Sequence, residues 1–229
     1  MTVSHEISLD NLSVCIGMPS SRDIHPLVVK SMFATKDLCS KHGISCSLAM
    51  VAGNAVVQWA RDEVVDLLLQ SDANRFFFVD SDMVWEPEDF MSLLALSQRR
   101  DIVCAAYTAK RDQPTFFIRY DESKPLRADE YGLIEILGVG LGFTVMRREV
   151  VQEVSDSSVA IHDEITSRDI PSIFHIGTHN GSRRGEDMSF FERITDLGHK
   201  IYLDPSISLG HLGLKVYKGC PLDAFQELK

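Results

Sequence analysis

The stretch Phe76-Phe77-Phe78-Val79-Asp80-Ser81-Asp82-Met83-Val84-Trp85-Glu86-Pro87 decides the fold. Its opening, Arg75–Asp80, is continuously apolar rather than alternating, which predicts a strand covered on both faces, central in a parallel sheet. It ends in two carboxylates two residues apart, Asp80 and Asp82. In open α/β sheets ligands gather at the carboxyl ends of strands, so both acids stand where a site is expected. Two close carboxylates repel unless something positive neutralises them. A hard divalent cation carrying its own waters and phosphate oxygens is the natural neutraliser. The plainer alternative is a pair of acids that ends a strand and caps a turn. Pro87 then suits the first position of a helix, Pro87–Gln98.

On either side the chain keeps a β-α rhythm. Leu12–Met18 reads as a strand ending at Pro19-Ser20-Ser21, and His25–His42 as a helix stopped by Gly43. Ile44–Val51 is a second strand, and Ala55–Gln70 a second helix with Val56, Ala60, Val64 and Leu67 at helical steps. Asp101–Tyr107 is a fourth buried strand. This order predicts an α/β fold with a mostly parallel central sheet and helices on both faces. After Tyr107 the rhythm breaks into short strand-like pieces, Thr115–Tyr120, Gly132–Leu137 and Leu141–Met146. A helix over Gly185–Leu197 and a last strand pair, Lys200–Leu203 and Ile207–Leu209, follow. Asp156–Arg184 has weak periodicity and reads as a long, partly mobile loop region.

The 229 residues, 45% hydrophobic and 24% charged, suit one soluble domain with a sizeable core. The net charge of −10 is shared by both halves, so there is no broad basic footprint for nucleic acid or anionic lipid. Part of the acidity is local: Asp72–Asp89 holds Asp72, Asp80, Asp82, Glu86, Glu88 and Asp89 against Arg75. An acidic site that must accept a diphosphate needs a cation to reverse its sign. Five cysteines without a C-x-x-C pair read as small core residues in a reducing compartment. Met1–Asn11 carries no apolar signal core and no apolar run reaches membrane length, so the expected location is cytoplasmic.

Four further elements carry chemistry. Gly53-Asn54-Ala55 precedes the second helix, on which Arg61-Asp62 follows Ala60. Gly138-Val139-Gly140-Leu141-Gly142 puts three alternating glycines before a strand, stripping one face of side chains so that a flat ligand can approach the backbone. A tight strand crossing is the competing explanation. Arg183-Arg184-Gly185-Glu186-Asp187 places two acids at a helix start, where the dipole favours them as caps in any case. Tyr202–Leu209 leads into Gly210-His211-Leu212-Gly213.

Together with Asp80-Ser81-Asp82, these elements resemble the metal-dependent GT-A glycosyltransferases, closest to small family 2-like bacterial and phage-type members. The resemblance runs from the first strand to about Gly213. It implies one GT-A domain over residues 1–229, a Rossmann-like three-layer sandwich. Residues 10–105 would form the nucleotide-binding half, 106–213 the donor-sugar and acceptor half, and 214–229 a tail. It implies Mn²⁺ or Mg²⁺ held by Asp82, with His211 as a late ligand and Asp80 oriented toward ribose or a metal-bound water. Pro19, Ser20, Arg61, Ser81, Gly140 and Lys110 would meet the donor, a UDP-, GDP- or dTDP-sugar. Arg61 could equally be a solvated helix charge, and Asp62 stands where asparagine is commoner in the family. Inverting transfer needs a base for the acceptor hydroxyl, and Asp187 is the candidate, with Glu186 binding hydroxyls.

The acceptor is open: a glycan or small molecule is favoured, and modified DNA stays in view. Trp85 could stack on a sugar or staple the helix that starts at Pro87. His175 and His179 are spaced like a helical zinc pair, but Gly177 between them favours a loop or acceptor contact. A sugar-phosphate nucleotidyltransferase ranks lower, because Met18-Pro19-Ser20-Ser21-Arg22-Asp23 lacks the glycine-rich phosphate loop of that class. A non-catalytic nucleotide-sugar-binding module is the remaining alternative.

Overall fold

The computed structural model describes residues 8–164, 166–179 and 181–226; the ends of the expected domain, 1–7 and 227–229, lie outside them. The chain opens with β1 (Ser13–Ser20), α1 (Pro26–Lys41), β2 (Ser45–Ala52), α2 (Val57–Gln70) and β3 (Arg75–Val79). It continues through β4 (Met83–Val84), α3 (Pro87–Leu96), β5 (Ile102–Cys104), β6 (Ile134–Ile136), β7 (Phe143–Arg147) and α4 (Arg148–Asp156). Next come β8 (Val159–Asp163), β9 (Arg168–Ser172), β10 (Gly177–His179), β11 (Ser182–Arg184) and α5 (Glu186–Asp196). β12 (Ile201–Leu203), β13 (Gly210–Leu212), β14 (Val216–Lys218) and α6 (Pro221–Gln226) follow.

Local chemistry explains the helix starts. Pro26 opens α1, and the His25 ring nitrogen accepts from the Leu27 backbone N–H at 3.1 Å. Ahead of α2, Asn54 Oδ1 accepts from the Val56 N–H at 3.0 Å. Pro87 begins α3, with Glu88 and Asp89 in the first turn, where the helix dipole favours acids.

Seven strands make one sheet in the order β2-β1-β3-β7-β5-β12-β6. β1 runs parallel to β2 and β3, and β12 parallel to β5. β7 lies antiparallel between β3 and β5, and β6 is antiparallel to β12. All five residues of β3 are buried, as its unbroken apolar run predicts. The two-residue period of a strand divides its side chains between two cores. Phe76 and Phe78 join Val64 of α2, Val150 of α4 and Phe190 of α5. Phe77 and Val79 join Val28 of α1 and Phe90 of α3.

Several local expectations are corrected. The segment 156–184 is no long loop: β8 pairs with β9 and β10 with β11 as antiparallel hairpins. Cross-strand pairing supplies order that periodicity within the segment does not announce. The strand expected over Asp101–Tyr107 is confined to Ile102–Cys104, and Thr115–Tyr120 forms isolated bridges only. Ile207 and Leu209 are buried, but 207–209 is not a strand. The strand is β13, one step later, which pairs with β14 and β4 in a separate small sheet. Residues 214–226 thus contribute β14 and α6.

Candidate functional site

The D-x-D and the residues it meets stand at the carboxyl edge of the parallel strands. β1 delivers Pro19 and Ser20, β3 delivers Asp80, and the chain beyond β5 delivers Tyr107 and Lys110. The antiparallel β7 enters at the same edge, bringing Gly140 and Gly142. Two clefts meet there. The first, about 220 Å³, is lined by Pro19, Ser20, Asn54, Arg61, Asp80 and Asp82, with Ser81 beside them. The second, about 420 Å³, is lined by Tyr107, Lys110, Phe117, Gly140, Asp187 and His211.

Arg61 occupies the wall between them. It is 3% exposed, and its guanidinium binds Asp80 Oδ1 at 3.0 Å and Asp187 Oδ1, with Glu186 Oε1 at 3.9 Å. Burial pulls the Arg61 pKa down, but Asp187 and Asp80 outweigh it and the group is held firmly charged. Its Nε is buried without a hydrogen-bond partner among the described residues. Burial pushes the Asp187 carboxyl up to about 6, against the opposing pull of Arg61. Asp80 is further met by the Tyr107 hydroxyl, which donates to its Oδ2 at 3.4 Å. Burial, then the Asp80 charge, push that phenol well above its usual range, so it stays a donor.

Two of the alternating glycines have a specific cause. A Cβ on Gly142 would stand 2.7 Å from Asp80 Cγ, and one on Gly140 would stand 2.6 Å from Tyr107 Cζ. The Asp80 N–H also donates to the Gly142 carbonyl at 3.0 Å. The glycines therefore make room for Asp80 and Tyr107, and no methyl group fits there.

Asp82 belongs to a second, more open cluster. Lys110 Nζ lies 2.5 Å from its Oδ2 and His211 Nε2 lies 3.4 Å away. Burial raises the Asp82 carboxyl, but hydrogen bonds from His211 and Lys110 outweigh it and hold it below the usual range. β13 pairs with β4 directly after the D-x-D, setting His211 opposite Met83, and the Leu212 N–H donates to the Asp82 carbonyl at 2.8 Å. His211 Nδ1 is 2.7 Å from the Thr108 carbonyl, which can only accept, so Nδ1 carries a proton. The other ring nitrogen, Nε2, faces the Asp82 carboxylate.

That arrangement tests the expected metal. Asp82 Oδ2 has the His211 ring and the Lys110 ammonium beside it, so this carboxylate already draws a cation. The Asp82 carboxylate suits Mn²⁺ or Mg²⁺, whereas the imidazole, a borderline ligand oriented by a backbone carbonyl, suits Mn²⁺ better than the all-oxygen preference of Mg²⁺. Among the described residues no three His, Cys, Asp or Glu side chains form a ready metal cluster. Asp80 is engaged by Arg61 and Tyr107 instead of joining Asp82 and His211. Asp82 and His211 would supply two ligands of a six-ligand shell, and the rest would fall to ligand oxygens and water.

The remaining candidates separate clearly. Trp85 is buried, its indole N–H donating to Thr35 Oγ1 at 2.8 Å, so it staples α1 rather than stacking on a sugar. His179 sits on β10, an extended strand and no helical zinc pair. Arg184 is spent on Glu192, which Arg119 shares. Asp62, beside Arg61, is buried and accepts from the Ile173 and Phe174 N–H groups at 2.8 and 3.0 Å. It thereby fixes Phe174, whose ring lies 5.8 Å from the Arg61 guanidinium carbon. Sequence reasoning missed Tyr107, Phe117 and Phe174. Tyr107 was findable as the residue closing a buried strand on the ligand-binding edge; Phe117 and Phe174 carry no local signal.

No family model matches the chain, and no curated protein matches it. Among solved structures it is similar to A197 from STIV, with a TM-score of 0.58 and 20% identity, covering 88% of this chain and 86% of that one. It is also similar to GalNAc-T7, solved with UDP, GalNAc and Mn²⁺, with a TM-score of 0.55 and 10% identity. That match covers 89% of this chain but 44% of GalNAc-T7, so the chain spans less than half its length. At these identities the likeness is one of fold, and it supports a GT-A-like α/β architecture.

Proposed function

We propose that the chain is a glycosyltransferase, moving a sugar from a nucleotide-diphospho-sugar to a hydroxyl acceptor, with inversion and with Mn²⁺ or Mg²⁺. One observation carries this reading. Arg61 gathers Asp80, Asp187 and, at 3.9 Å, Glu186, and Asp82 meets His211, at one sheet edge where two clefts open. The shared fold with GalNAc-T7, which binds UDP, GalNAc and Mn²⁺, lends support.

In this reading the first cleft takes the nucleoside of a UDP-, GDP- or dTDP-sugar against Pro19, Ser20 and Ser81. Asp82 and His211 would hold the metal, which offsets the charge of the leaving diphosphate. Lys110, already beside Asp82, adds a second positive group on the phosphate side. Asp80 is held by Arg61 and Tyr107 in the orientation that serves the ribose. In the second cleft the acceptor oxygen attacks the anomeric carbon, the bond from that carbon to the diphosphate oxygen breaks, and Asp187 takes the acceptor proton. With a carboxyl near pH 6, Asp187 is ionised at neutral pH and still basic enough to serve. Glu186, on the same helix start, binds sugar or acceptor hydroxyls.

A thermal-shift screen of nucleotides and nucleotide-sugars, with and without Mn²⁺, tests the reading. One nucleotide-sugar at about 100 times its dissociation constant adds about 2.7 kcal/mol of stability, a rise of several degrees. The shift is expected only with the metal. Absence of any nucleotide-sugar shift, or release of pyrophosphate from a nucleoside triphosphate plus sugar-1-phosphate, overturns it.

A further inference from the structure

We infer that the second cleft is a saccharide subsite in which Phe117 is the platform for the acceptor ring. The inference rests on the transferase reading and names its acceptor class. Phe117 is 60% exposed, although it lies within a segment pinned at both ends. Phe116 bridges Thr108, and Arg119 bridges Gly138, with the Arg119 N–H donating to the Gly138 carbonyl at 2.8 Å. Phe116 and Ile118 pack against the core, so alternation along the extended chain turns Phe117 the other way, to the cleft it lines. An aromatic ring held outward by fixed neighbours is a built surface and no accident of a loose loop.

The chemistry of the cleft selects the ligand. Phe117, Val139, Met188 and the Tyr107 ring make apolar walls. Its polar groups are few and belong to the reacting end, where Asp187 meets Arg61 and both Lys110 and His211 meet Asp82. A pyranose matches this pattern, with a C–H face to lie on an aromatic ring and hydroxyls to present to Asp187. The cleft's volume of about 420 Å³ falls within the range of small-ligand sites. The Arg111 guanidinium lies over the Phe117 ring, its carbon 5.8 Å from the centroid, a cation–π contact that a stacking ligand would share or displace. A nucleic-acid acceptor fits poorly. The net charge is −10, and the neighbouring Arg119 and Arg184 are already paired with Glu192.

Direct binding decides the matter without a donor. Saturation-transfer NMR on the full chain would use methyl glycosides and disaccharides at millimolar concentration, with a single-stranded oligonucleotide as the rival. At least one saccharide is expected to bind, tenfold or more weakly in Phe117→Ala and within threefold of wild type in Phe117→Trp. Because Phe117 is exposed, both variants keep the wild-type melting temperature. Wild-type saccharide binding by Phe117→Ala, binding of the oligonucleotide alone, or no binding across the panel overturns the inference. The nucleotide-sugar thermal shift, run on the same samples, reports separately on the transferase reading. Loss of saccharide binding in Phe117→Ala with an unchanged donor shift is the result expected if both hold.

Discussion

Two cations serve the site in opposite ways. Arg61 is buried in the wall between the clefts and bound by Asp80, Asp187 and, more loosely, Glu186. Lys110 stands at the open edge, its side chain 39% exposed, against Asp82 alone. A guanidinium buried among carboxylates is architecture, because removing it strands acids that burial already penalises. An ammonium on a flexible, half-exposed stem is exchangeable, because solvent or another cation can take its place. The same fold thus holds one carboxylate cluster around a fixed cation and leaves the other ready to trade its partner.

The largest test of this contrast is Arg61→Met. Removing the central cation strands Asp80 and Asp187, a loss of about 3–5 kcal/mol. Thermal denaturation should show a melting temperature lower by on the order of 10 °C. A change of a degree or two would mean that the buried cluster is not structural. Next comes Asp187→Asn, expected to cut transfer by about 10²–10⁴-fold while leaving the donor thermal shift in place. The wild-type pH profile should agree. Asp187 acts ionised and its pKa is raised to about 6, so the rate falls as pH drops below that value and is level above it. A profile flat from pH 5 to 8 assigns the proton to another group.

At the open edge the effects are smaller. Lys110→Met should change stability by no more than about 1 kcal/mol, as for other exposed pairs. By removing a competitor for Asp82, it should tighten Mn²⁺ binding a few-fold in calorimetry. Weaker Mn²⁺ binding would break the contrast. The smallest effect concerns a third carboxylate, Asp62, which backbone N–H groups hold in place of a cation. Burial raises its pKa to about 6, so its ionised form is penalised in the folded state. That penalty is absent near pH 4 and complete above pH 6. Asp62→Asn should therefore melt a few degrees higher at pH 8 and no higher at pH 4.

The first half of the fold was legible because its signals are local. An unbroken apolar run marks β3, prolines open α1 and α3, and helical spacing marks α2. The two carboxylates were visible for the same reason, since they end that run. α4 was not seen: it starts at Arg148 directly behind a strand, and its N-cap, Arg147, makes no side-chain cap bond. The placement of β7 between β3 and β5 is a matter of long-range pairing that no window of sequence contains. Arg61 shows the limit most plainly. Its helix position was readable, but its partner Asp187 lies 126 residues away, and nothing near Arg61 marks it as the hub of a buried cluster.

The pairing of β13 with β4 gives one corner of the site a simple arithmetic. The seven-stranded sheet needs nothing beyond Leu203, whereas His211 reaches Asp82 only because a separate small sheet sets it opposite Met83. Neighbouring strand residues face opposite ways, so a shift of one place would exchange His211 for Gly210 or Leu212. Whether an imidazole stands beside Asp82 is therefore decided by the parity of the connection after β12, and an insertion of one residue there would erase the group without touching the main sheet.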